Sequence, residues 1–134
     1  MATTVSNSVQ RVRGKQTQLS ADTTLTAADS GTTFFLDAIG EAITLPAVSA
    51  GVEYKFICDT TTATSDWTIT APAAVIYGSA QVAGAVIPAS AESVITCVVA
   101  KFLPGDWVSL VSDGTKWFVE GSCVTTVGLT FTAP

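Results

Sequence analysis

The residues that could do chemistry in this 134-residue chain are few, and the first constraint is that it contains no histidine. Ser-His and Cys-His nucleophile pairs, histidine-ligated metals and the commonest general base are therefore excluded. Carboxylates, thiols and tryptophans remain. Asp59 with Asp66, or Asp106 with Asp113 and Glu120, could meet at one end of a sheet as the acid and base of glycoside hydrolysis, or as oxygen ligands of a calcium ion. The stronger reading is local: Asp66, Asp106 and Asp113 fall at strand or turn boundaries, where Asp hydrogen-bonds nearby backbone. No catalytic, cofactor-binding or metal-binding residue is assigned, and no cofactor is expected.

Cys58, Cys97 and Cys123 are odd in number, are spaced unlike any C-x-x-C metal pair, and each sits in or beside an apolar run. They are expected to be buried free thiols made in a reducing compartment; a Cys58 to Cys97 bridge would require their strands to lie side by side. Trp67, Trp107 and Trp117 could form a sugar-stacking platform, but a strand pairing that sends Trp107 and Trp117 to opposite faces puts one of them in the core.

The elements that must position these groups read as strands. Alternating and β-branched runs recur with turn residues between them, giving strands over residues 16–19, 23–26, 32–36, 42–45, 52–59, 66–70, 75–77, 81–86, 93–100, 107–111, 116–120 and 124–131. In 52–59, Val52, Tyr54, Phe56 and Cys58 point one way while Glu53 and Lys55 point the other, as in a half-buried strand. Residues 93–100 are nearly all apolar or β-branched, consistent with a central strand covered on both faces. Loops are expected at 29–31, 46–51, 60–65, 71–74, 88–91 and 103–106. Residues 25–30 or 38–42 could hold one helical turn, and no internal repeat is evident. The expected architecture is a single all-β domain over residues 15–134, a β-sandwich or tulip-like β-barrel, preceded by a flexible arm over residues 1–14.

The clearest local signal is Asp113-Gly114 between two alternating runs, which predicts a hairpin closed by a two-residue type I′ turn. That register places Ser112 opposite Thr115, Leu110 opposite Trp117 and Val108 opposite Val119 on an apolar side. The other side pairs Val111 with Lys116, Ser109 with Phe118 and Trp107 with Glu120, and is mixed enough to face an interface.

Charged residues make up 13% of the chain, about half the usual share, which favours docking or self-association over a free monomer surface. Arg11, Arg13 and Lys15 make the first fifteen residues basic, whereas the remainder has three bases against eleven acids. An acidic body repels phosphate backbones, so nucleic acid is not expected as a partner. No secretory signal or apolar stretch of membrane-spanning length is apparent, and no membrane partner is expected.

Residues 109–121, Ser-Leu-Val-Ser-Asp-Gly-Thr-Lys-Trp-Phe-Val-Glu-Gly, resemble the closing hairpin of small virion proteins of tailed bacteriophages. Residues 25–31, 34–37 and 43–47 are similar to the opening strands of the same group. Together they resemble a phage head decoration (cement) protein over roughly residues 20–121. The resemblance implies a non-enzymatic homotrimer on the outer capsid, made in the host cytoplasm, that clamps neighbouring major capsid protein subunits. Arg11, Arg13 and Lys15 are then candidate capsid contacts, and Trp107 and Phe118 candidate oligomer or surface contacts. The same patterns occur in tail, fibre and baseplate modules and in host-surface carbohydrate binders, where residues 60–65 could meet a receptor.

Overall fold

The computed structural model describes residues 14–37 and 39–133. Its twelve strands are β1 (Lys15–Leu19), β2 (Thr23–Thr24), β3 (Thr32–Leu36), β4 (Ala42–Thr44), β5 (Glu53–Cys58), β6 (Trp67–Thr70), β7 (Ile76–Val82), β8 (Ala85–Glu92), β9 (Val94–Cys97), β10 (Trp107–Ser112), β11 (Trp117–Cys123) and β12 (Leu129–Thr132). They form two sheets. One has the order β1-β3-β5-β10-β11-β7-β8 and the other β12-β9-β6-β4-β2, and their inner faces close over one apolar core, as in a β-sandwich.

Short strands separated by turn residues cannot bury both faces, so the first half of the chain alternates between the two sheets. It deposits β1, β3 and β5 side by side in one sheet and β2, β4 and β6 side by side in the other, every pair parallel. This is the winding of a short β-solenoid, although no sequence repeat announces it. Successive coils stack like residues on like. Leu19, Leu36 and Cys58 form one column, and Phe34 lies over Phe56 in another. Between the columns the polar turn residues tie coil to coil. Asp22 Oδ1 accepts from the Ala42 amide at 2.9 Å, Ser30 Oγ from the Glu53 amide at 3.0 Å, and the buried Tyr54 hydroxyl donates to the Thr26 carbonyl at 2.6 Å. The helical turn expected within 25–30 is a 3-10 turn at Ala27–Asp29, in which Asp29 Oδ2 accepts from the Thr26 amide at 2.9 Å.

The second half is antiparallel except where β11 runs parallel to β7. The expected hairpin is present, but its register is two residues off. Ser112 pairs with Trp117, Leu110 with Val119 and Val108 with Gly121, so the connection is the four residues 113–116. The reason is the Asp113 side chain, whose Oδ1 accepts from the amides of Thr115 and Lys116 and from the Thr115 hydroxyl at 2.8–2.9 Å. Those amides would otherwise belong to a tighter turn. Because side chains alternate with period two, an even slip leaves every strand residue on its expected face.

Three other expectations are corrected. Residues 78–80 do not break a strand: β7 runs through them with a bulge between Ile76 and Gly78, and the chain reverses at Ala83 and Gly84 instead. Residues 88–91 are strand rather than loop, since Pro88 lies in β8, an edge strand where a missing amide is tolerated. The run 93–100 is strand only over Val94–Cys97 and alternates buried and half-buried, because only one face of its sheet meets the core.

Candidate interaction surface

The carboxylates each serve local structure. Asp106 and Asp113 flank the six residues of β10, seven steps or about 23 Å apart at strand rise, well beyond the separation that glycoside hydrolysis needs. Each holds backbone. Asp106 is buried and accepts from the Leu103 amide at 2.8 Å, and Asp66 accepts from the Val99 amide at 2.7 Å. Asp59 follows β5 and accepts from the Gln18 side chain at 3.1 Å, whereas Asp66 immediately precedes β6 of the other sheet. Hydrogen bonds from Thr115 and Lys116 hold the Asp113 carboxyl below its ordinary pKa. Among the described residues no group of three or more His, Cys, Asp or Glu side chains could hold a metal ion.

The thiols are buried and free, as expected. Cys58 donates to the Phe102 carbonyl at 3.1 Å and Cys123 lies 3.6 Å from the Lys101 carbonyl, so both pin the connection between β9 and β10. Burial pushes all three thiols upward, Cys123 to about 11. Protonated, enclosed thiols are poor nucleophiles.

The tryptophans divide as the hairpin predicts. Trp117 and Trp67 are fully buried, and Trp107 is half-buried on the outer face, so no two-tryptophan platform exists. Trp67 Nε1 donates at 3.1 Å to Oε1 of Glu41, a buried carboxylate whose Oε2 has no partner and whose pKa is raised by desolvation. Nothing in the sequence marked Glu41, which sits between Gly40 and Ala42 with no apolar period to flag it as interior.

Two surfaces stand out. The first is the outer face of the seven-stranded sheet. Strand register lines up Phe35, Ile57 and Trp107 in one row, Thr33, Lys55, Ser109, Glu120 and Ser79 in the next, and Glu53, Val111, Phe118 and Tyr77 in a third. Val111 is 45% and Phe118 41% exposed, side by side on paired strands. Lys55 Nζ lies 5.0 Å from the Trp107 ring and Lys116 Nζ 5.5 Å from that of Tyr77. Trp107 and Phe118, singled out from sequence, thus share one face. Phe35, Ile57 and Tyr77 were missed because only cross-strand pairing places them beside that hairpin.

The second is a groove of about 450 Å³ between the last strands of the two sheets, β8 and β12, lined by Val82, Ala85, Ile87, Val127, Leu129 and Phe131 and free of charged side chains. Ala83 and Val127, both on its rim, adopt φ of +52° and +53°. A β-branched residue held there is strained, and such strain concentrates at functional sites.

Lys15 is exposed at the opposite, β1 edge and donates to the Ala28 carbonyl at 3.3 Å. Arg11 and Arg13 lie outside the described residues. The 60–65 loop is stiffened by hydrogen bonds of Thr64 and Ser65 to the Ile39 carbonyl. No helix among the described residues is long and apolar enough to cross a membrane. The fold and its surfaces define a two-sheet, all-β protein with a solenoid-wound first half. No protein-family model matches the chain, and a search of curated proteins finds no match.

Proposed function

We propose that this chain is a non-enzymatic phage capsid decoration protein that binds the outer capsid surface and stabilises contacts between major capsid protein subunits. The observation that carries the reading is the uncharged groove between β8 and β12, an apolar recess with a strained rim flanked by strands at the edges of both sheets. Free strand edges beside apolar recesses accept extended segments by main-chain pairing.

The body also has two ends. Six strand spacings of about 4.8 Å separate β1, which follows the basic residues Arg11 and Arg13, from β8 at the groove, or roughly 29 Å. A rigid body with separate contacts at each end can bridge two neighbours, and the second contact then forms at high effective concentration. The sequence resemblance in residues 109–121 supports the same reading.

The test is to mix the purified chain with phage capsids that lack it and count bound copies. Saturation at hundreds of copies spread over the head is expected. Val127→Glu should reduce occupancy at least tenfold with the fold intact, and removal of residues 2–14 should weaken binding sharply. Location in a few to a few tens of copies on the tail would overturn the reading in favour of a tail or host-binding module.

A further inference from the structure

We infer that the outer face of the seven-stranded sheet is a two-fold self-association surface on which a second copy of this chain packs. β10 lies at the centre of the inferred contact, with β3 and β5 on one side and β11 and β7 on the other. A two-fold axis along β10, in the plane between two such faces, sets Trp107, Ser109 and Val111 against their own counterparts. The same operation carries each strand to the left of β10 onto the strand to its right. Lys55 on β5 and Glu120 on β11 both pair with Ser109, one from each side. The axis therefore brings Lys55 of each copy over Glu120 of the other, forming two symmetric opposite-charge pairs on either side of Ser109, with Trp107 and Val111 above and below along β10.

This self-complementarity is specific to that axis. A two-fold axis across the strands would instead set Lys55 against Lys55 and Glu120 against Glu120. Isologous interfaces need one patch to complement itself, and this patch does so in charge at the Lys55–Glu120 pairs, while Glu53 and Phe118, which both pair with Val111, are set over one another at the margin.

The area is sufficient. Five strands at about 4.8 Å and six residues at about 3.3 Å give a face of roughly 24 by 20 Å, hence roughly 1,000 Å² buried over both copies. That is the lower bound for a specific interface, so a weak, reversible dimer is expected. Its order, two rather than three, departs from the trimer implied by the resemblance. A pair presents two grooves and two basic edges, so the inference deepens the capsid-bridging proposal without needing capsids for its test.

The test is sedimentation equilibrium of the full chain from about 1 µM to 500 µM. Twice the 13.7 kDa chain mass is expected at the upper end. Lys55→Glu and Glu120→Lys each set like charges together and should weaken association at least tenfold, while the double variant should recover it. All three replace exposed side chains, and unchanged melting temperatures confirm folding. A monomer throughout, a three-copy species, or single variants that associate like the parent would overturn the inference. Dimerisation without capsid binding would reject the capsid proposal alone.

Discussion

Phe34 and Phe56 stack with ring centroids 5.4 Å apart and 19° between their planes, directly paired on adjacent parallel strands of successive coils. Tyr54 joins them from the next position facing inward, its ring 5.7 Å from that of Trp117. The aromatic column thus links the solenoid-wound half to the antiparallel half, where large buried rings contribute most to packing.

Phe56→Ala should destabilise the fold by about 3–5 kcal/mol, since Phe56 is fully buried and its loss leaves a cavity at the junction of the two halves. Urea denaturation followed by tryptophan fluorescence would read it as a lower midpoint with an unchanged slope.

Gly78 occupies the β7 bulge at φ +132°, and a Cβ there would collide with the Val119 carbonyl oxygen. Gly78→Ala should therefore cost more than about 1 kcal/mol, the ordinary conformational effect, because the parallel β7–β11 pairing must open as well. Gly84→Ala, whose added Cβ would meet nothing, is the control for left-handed backbone alone, and its melting temperature should fall less.

Glu41 gives the fold a pH dependence of definite sign. Burial raises its folded pKa, so the folded state binds this proton more tightly than the unfolded chain. The destabilisation is absent below the ordinary carboxylate range and grows as pH rises through the window between the unfolded and raised folded values. Glu41→Gln keeps an acceptor for Trp67 Nε1 and should raise the melting temperature at pH 7. That advantage should vanish as pH approaches about 4.3.

The thiols should be silent in the folded protein. At pH 8, Ellman's reagent should label none of Cys58, Cys97 and Cys123 within minutes, then all three in guanidinium chloride, because burial keeps them protonated and enclosed. Rapid native labelling of any one would contradict the packing of the connection between β9 and β10.

Much of this was legible along the chain. Alternation placed Val108, Leu110 and Trp117 inside and Trp107, Val111 and Phe118 outside, and those faces survive a two-residue error in hairpin register because side-chain direction repeats every two residues. The buried state of the cysteines followed from their apolar neighbours. The turn itself was misjudged because Asp113 binds its own downstream amides, a local competition that a dipeptide rule omits.

The sequence by itself determined that the chain is all-β, where most strands lie and which way their side chains point, because these depend on short-range period and turn chemistry. Only the tertiary structure decided that β1, β3 and β5 are parallel neighbours, that Phe35 and Ile57 join Trp107 in one row, and that Lys55 and Glu120 flank Ser109. Strand order is set by which apolar faces can close together over one core. That choice is made among residues tens of positions apart, and no local pattern encodes it.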